Sequence, residues 1–254
     1  MSQERAVVLH RSSTRVLLGI NLFFVALWSI TLLNPQKLNI LWFLVVVLLA
    51  VLFIVRNKNV SRTDVVIAVI LGCLAAPSSM FMGVCSAVAY VGGVSVLKKS
   101  KHAIVLCKMV NKKEILKTIC LALLVGLALG TVNILLAKIS WNIAFSLKPE
   151  WFLNAMRAGI SEEIIFRFFF FATCIYFIKD RLLSKLDNFL CYLVMILPHV
   201  LLHFNTVNFA LGSVLALALL FGLPFAVMQR KRDVSSAIGA HTVVDVIRFC
   251  SFGV

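Results

Sequence analysis

Acidic residues are scarce in this chain, with ten Asp and Glu against 25 Lys and Arg, and charge of either sign makes up only 14% of it. Soluble domains are about a quarter charged and about half apolar, so 61% hydrophobic residues and a mean hydropathy of +1.02 exclude a water-soluble globule. The apolar runs also lack the polar alternation that a lipid-spanning barrel requires, which leaves helices. No glycine-rich phosphate loop, internal repeat or low-complexity tract is present. The seven Cys include no C-x-x-C pair and sit mostly inside apolar runs, so they read as small hydrophobes and not as a redox or zinc-thiolate set. There is no H-E-x-x-H helix, the usual sign of a zinc peptidase. The first apolar run ends without an A-x-A-like cleavage site, so it is expected to be kept as a spanning helix.

Eight apolar runs are present, at 16–33, 38–55, 65–97, 115–137, 151–178, 189–203, 209–228 and 236–252. Most approach the roughly 20 residues a bilayer-crossing helix needs. The expected fold is therefore all-α, a polytopic transmembrane bundle of about eight segments. Run 65–97 is too long for one pass, and Pro77, Ser78 and Ser79 offer a break in it, which would make nine. Residues 1–150 are read as accessory packing helices and 151–254 as the core that carries the chemistry. The glycines Gly83, Gly92 and Gly93 are read as sites of close helix approach.

The net charge of +15 could suggest a nucleic-acid partner, but the basic residues fall between apolar runs and not along one face, so none is expected. They read instead as topology signals and contacts with the lipid bilayer. If run 65–97 crosses twice, the N-terminal arm, 56–62, 98–117, 179–185 and 230–232 share one face and hold 19 of the 25 Lys and Arg. That face would be cytoplasmic, with the N-terminus on it, in what reads as a bacterial cell membrane. Arg157, Arg167 and Arg248 lie within apolar segments and are possible partners for buried acids.

Glu162, Glu163 and Arg167 interrupt a long apolar run, and each ionisable group at bilayer depth costs roughly 2.5 to 3.5 kcal/mol. Positions four apart share a helix face, so Glu163 pairs with Arg167, while Glu162 projects elsewhere and needs a partner on another helix. His199 and His203 are four apart on one later run, and His241 and Asp245 on the last. If the three helices pack together, Glu162 and His203 can activate a water, with His241 holding a developing oxyanion and Asp245 orienting His241. His199, beside Pro198, reads as a hydrogen-bonded structural histidine. The block Phe168 to Phe171 and the residues Trp42, Phe43 and Phe53 read as core or lipid-facing.

This order of motifs, Glu-Glu-x-x-x-Arg, then a helix ending in His203, then His-x-x-x-Asp, resembles the CAAX protease and bacteriocin-processing (Abi) family of intramembrane glutamic proteases, relatives of the Ras-converting CAAX endoprotease. The resemblance covers about Trp151 to the C-terminus. It implies an endopeptidase in which Glu162 is the water-activating glutamate assisted by His203, with His241 and Asp245 on the oxyanion side and Glu163, Arg167 and His199 in support. The implied substrate is a membrane-associated peptide or small membrane protein. Two departures stand out: His199 occupies a position where the family usually has Phe, and an ionised Asp245, where Asn also occurs, has no hydrogen to donate. No cofactor is expected, although zinc held by His203, His241 and a glutamate is the alternative. The rival functions are a proton-coupled transporter, which the same buried acids and imidazoles could serve, and a non-catalytic immunity or binding scaffold.

Overall fold

The computed structural model describes residues 3–109, 111–137 and 143–253, with side chains from Ser13 onward. Lys138 and the side chains of Arg5 and Arg11, which entered the charge count, lie outside them. The order of elements is α1 (Gln3–Thr31), α2 (Pro35–Leu38), α3 (Ile40–Asn57), α4 (Arg62–Ala75), α5 (Met80–Leu97), α6 (Lys112–Ala137) and α7 (Pro149–Glu162). A π-helical stretch, Glu163–Phe169, joins α7 to α8 (Phe170–Phe177), followed by α9 (Lys185–Leu202) and α10 (Leu211–Leu217). A second π stretch, Ala218–Gly222, leads into α11 (Leu223–Lys231), and α12 (Val234–Phe252) ends the chain. No strand occurs among the described residues.

Six helical stretches are long and apolar enough to cross a bilayer: Ser13–Thr31, Pro35–Asn57, Met80–Leu97, Lys112–Ala137, Lys185–Leu202 and Leu211–Lys231. The expected eight or nine differ from these by three helical rods. One is α4, only 14 residues long. The other two, α7 through α8 and α12, carry the acidic and imidazole residues that lower their apolarity. The outward faces are apolar, with Leu22, Leu48 and Leu124 exposed by 68%, 68% and 69%. A continuous exposed belt of this kind suits lipid and not water.

Run 65–97 breaks at Pro77–Ser79. Ser61 caps α4, its side chain accepting from the Asp64 amide while the Asp64 carboxylate accepts from the Ser61 amide at 2.7 Å. The Ser79 side chain caps α5. Lys98 at the end of α5 pairs with Asp64 at the start of α4 at 2.6 Å, so the two helices run antiparallel. Gly72 and Gly83 face each other between them. The other two glycines singled out from the sequence also sit at close approaches, Gly92 against Ala50 and Gly93 against the Phe168 ring.

The basic loops gather at one end of the bundle. Thr14 on α1 donates to Asp187 on α9 at 2.6 Å, Asp180 accepts from the Lys101 amide at 3.2 Å, and Arg230 donates to Asn188 at 2.8 Å. Here α9 starts in a second capping box, formed by Ser184 and Asp187. Counting residues from this end puts Glu162 some 20 Å deep but His241 only about 10 Å deep. The mismatch is resolved by where α12 begins. Its N-cap Asp233 is fully buried and accepts from Thr118 Oγ1 at 2.7 Å and from the Ser236 amide at 2.8 Å. Loop residues Val105 and Leu106 lie over it, their carbonyls accepting from the Val234 and Ser235 amides at 3.1 and 2.8 Å. The last helix thus starts below the surface.

The main core joins α1, α3, α4 and α5 to the π stretch, α8 and α9, so the helices before and after residue 150 share one apolar interior. Phe168 to Phe171 are all buried in it. Phe168 stacks on Tyr90 and Phe170 on Phe24, with ring centroids 5.6 and 4.3 Å apart. Trp42 and Phe53 are buried as well, and Phe43 packs edge-on against Phe81.

Candidate active site

The rod from α7 to α8 carries the two glutamates across its transition into the π stretch. A π turn widens the backbone, and such turns occur frequently at functional sites. At this one the Glu163 carbonyl accepts from Gln229 Nε2 on α11 at 2.9 Å. The opposing helix is admitted by Gly159, where a Cβ would collide with Thr242 Oγ1 and the Ile238 carbonyl of α12. We expect Gly159→Ala to push α7 and α12 apart, lowering the unfolding temperature in detergent by several degrees for a cost of about 1–3 kcal/mol. An unchanged thermal transition would show that this contact does not hold the site together.

Glu163 is fully buried and held from three sides. Arg167 donates to its Oε1 from four residues on, Gln229 Nε2 donates to its Oε2 at 2.8 Å, and His241 Nδ1 lies 2.8 Å from its Oε1. That last contact fixes the imidazole. With Nδ1–H donated to Glu163, the other nitrogen, Nε2, points at Glu162 Oε2, 3.3 Å away, and stands 3.6 Å from Asp245 Oδ2. Phe225 stacks on the ring at 4.8 Å and completes the slot.

Glu162 Oε2 also meets His199 Nε2 at 2.6 Å. His199 stacks on Phe166 at 5.4 Å, and its Nδ1 faces Arg167 Nη2 at 3.4 Å. Arg167 can only donate, so Nδ1 accepts and the neutral ring carries its hydrogen on Nε2, toward Glu162. His203 caps the C-terminus of α9, and its Nε2 lies 3.2 Å from His199 Nε2.

The sequence-derived residues therefore converge, with their contacts distributed differently from the sequence reading. His199, expected in a structural role, sits directly on Glu162, and His203 is hydrogen-bonded to His199. Glu163, expected only to pair with Arg167, also orients His241. Asp245 approaches His241 from the side of Nε2. Gln229 was not anticipated. It lies next to Arg230 in a run read as a topology signal, and a lone amide at such a boundary carries no spacing that points inward.

Glu162, Arg167, His199, His203, His241 and Asp245 line one cavity of about 340 Å³. Asn133 of α6, Arg157 of α7, Leu217 at the end of α10, Phe221 and Gly222 of the second π stretch, and Arg248 of α12 complete much of its wall. Gly222 brings that wall close to α9, since a Cβ there would lie 2.6 Å from Ile196.

Three of these donors lie close enough together to share a divalent cation. One ligand atom each from Glu162, His199 and His203 lies within 4.8 Å of the others, which differs from the set expected from sequence. Two imidazoles and a carboxylate are suitable zinc donors. Their support is not: a metal-bound imidazole keeps a hydrogen on its far nitrogen for an acceptor, whereas His199 Nδ1 faces an arginine donor. The surroundings of His199 do not fit bound zinc.

These features define an all-helical, multi-pass membrane protein with buried carboxylates and imidazoles around an internal cavity. Residues 144–247 form a segment that matches the family model described as type II CAAX prenyl endopeptidase Rce1-like. It contains Glu162, Glu163, Arg167, His199, His203, His241 and Asp245. No curated protein and no solved structure matches the chain.

Proposed function

We propose that the protein is an intramembrane endopeptidase that hydrolyses a peptide bond of a membrane-associated peptide or small membrane protein, with Glu162 as the general base. The observation that carries this reading is the Glu162 carboxylate inside a cavity, in contact with His199 at 2.6 Å and His241 at 3.3 Å. A water beside Glu162 gives its proton to the carboxylate as its oxygen attacks the substrate carbonyl, and Glu162 then returns the proton to the leaving amine. His199 holds Glu162 in place and links it to His203. In its imidazolium form His241 donates from Nε2 to the tetrahedral oxyanion while Glu163 holds Nδ1. Arg167 and Gln229 fix Glu163, and Asp245 sets the field on the far side of His241. No step uses a metal.

The shared end of the basic loops supports a cytoplasmic N-terminus by the positive-inside preference. The cavity lining lies away from that end. Asn133, for example, is 21 residues beyond Lys112 at the start of α6.

The test is the full chain in proteoliposomes with apolar, membrane-partitioning peptides, reading products by mass. Cleavage that is blank in Glu162→Ala and unaffected by a chelator is expected. Cleavage of equal rate in Glu162→Ala would sink the mechanism. Proton-coupled flux without any cleaved product would favour a transporter instead.

A further inference from the structure

The end of the bundle where the basic loops gather holds a second cavity, of about 430 Å³, which shares no lining residue with the one around Glu162. It opens between the ends of α3, α5 and α8. Two apolar spans stop at its rim, at Asn57 and Leu97, which puts it at the level of the lipid headgroups.

Its charge is one-sided. Lys58, Lys99 and Lys179 line it, one from each of the three chain segments, and Asp180 is its single acid. Among the described residues none of these lysines has a carboxylate within ion-pairing distance, whereas Lys98 and Lys117 at the same end are paired with Asp64 and Glu114. Asp180 is turned to other donors, Ser100 Oγ at 2.5 Å and the Lys101 amide at 3.2 Å. Three ammonium groups thus face one engaged carboxylate. Asn57, Asn59 and Tyr176 add neutral donors to the wall.

A lysine at a helix C-terminus offsets the partial negative charge of the last carbonyls, and that alone would account for one beside each helix end. It does not account for the backbone they occupy. Lys58, Lys179 and Asp180 have φ of 50°, 56° and 53°, in the left-handed region that glycine enters freely, and they are the non-glycine residues found there among those described. All three line this cavity. Backbone strain of this kind collects at ligand sites. A phosphate takes several ammonium donors at once, and a basic pocket between spanning helices suits an anionic headgroup.

We propose that Lys58, Lys99 and Lys179 form a discrete site for the phosphate of an anionic phospholipid headgroup, in the leaflet that faces the basic loops. The site is independent of whether the protein cleaves peptides.

The test titrates the full chain in detergent with phosphatidylglycerol, phosphatidylcholine or inorganic phosphate and follows the thermal midpoint. The proteins are wild type, Lys58→Gln, Lys99→Gln, Lys179→Gln and the corresponding Arg variants. Lys112→Gln with Lys113→Gln is the control, at the same end of the bundle but outside the cavity. Phosphatidylglycerol should raise the wild-type midpoint by about 4 °C or more at saturation, as for a ligand that binds only the folded state, with little rise from phosphatidylcholine. Each Gln variant should lose about half of that rise or more, while the Arg variants keep most of it and the control keeps all of it. The quantity read is the lipid-dependent rise, so a variant with a lower midpoint before lipid is added still decides the matter. No rise, an equal rise with phosphatidylcholine, or a rise unchanged in the three Gln variants would overturn the site. So would an equal loss in the control, the mark of diffuse attraction between a basic surface and an anionic micelle. A lysine-dependent rise with inorganic phosphate that phosphatidylglycerol does not exceed would overturn it in favour of a soluble phosphate ligand.

Discussion

Glu162→Gln should lower kcat by about a thousandfold while leaving the fold intact, within the span of roughly a hundred- to ten-thousandfold that a positioned base contributes. The amide keeps the length and the hydrogen-bonding reach of the side chain, so contact with His199 survives, but it takes no proton from water. Stability should change little. The contacts of Glu162 are to imidazole nitrogens and not to a guanidinium, and its side chain retains 18% exposure to the cavity. The measurement is kcat together with the thermal transition of the same preparation. A variant within threefold of wild type would remove Glu162 from the chemistry.

Glu163→Gln should fail for a different reason. Arg167 has a side chain only 1% exposed, with Glu163 as its acidic partner among the described residues, and its Nε already lacks an acceptor. Removing one member of a buried pair leaves an uncompensated charge and typically costs about 3–5 kcal/mol. The same substitution weakens the grip on His241 Nδ1, so activity should fall along with stability. The double variant Glu163→Gln with Arg167→Met separates the two effects: the apolar replacement should recover most of the lost stability without recovering turnover. Recovery of both would mean that the His241 contact is dispensable, and Glu163 would then be a packing residue only.

The contrast between these variants shows how much the sequence could convey. Spacing of four residues on a helix is a local property, so the pairing of Glu163 with Arg167 and the separate direction of Glu162 follow from the chain alone. So does the break at Pro77, because a missing amide hydrogen and two serines in mid-run leave a helix little reason to continue. The choice between His199 and His203 as the contact to Glu162 depends on how α9 is rotated against the π stretch, and that rotation is set by Phe166, Gly222 and Ile196 on three different elements. The widened turn itself is a tertiary effect: the run from Glu163 to Phe169 has no glycine or proline to announce it, and the Gln229 side chain reaches its backbone from a helix 66 residues away. Arg157 and Arg248 were visible as charges in apolar runs. Their placement with Asp245 in the wall of one cavity emerges only once α7 and α12 are packed together.

The pairing of Glu163 with Arg167 inside a single helix also bears on biogenesis. A segment entering the bilayer before its neighbours have assembled must carry its charges without help from them. In this segment the acid and base four residues apart neutralise each other as soon as the turn between them forms, so Arg157 and Glu162 enter without a partner but the central pair does not. The acquisition of His199 and His241 by Glu162 requires α9 and α12, the latter being the last helix of the described chain. The Glu162 carboxylate therefore reaches its contacts with His199 and His241 only after the Glu163–Arg167 pair beside it is already in place.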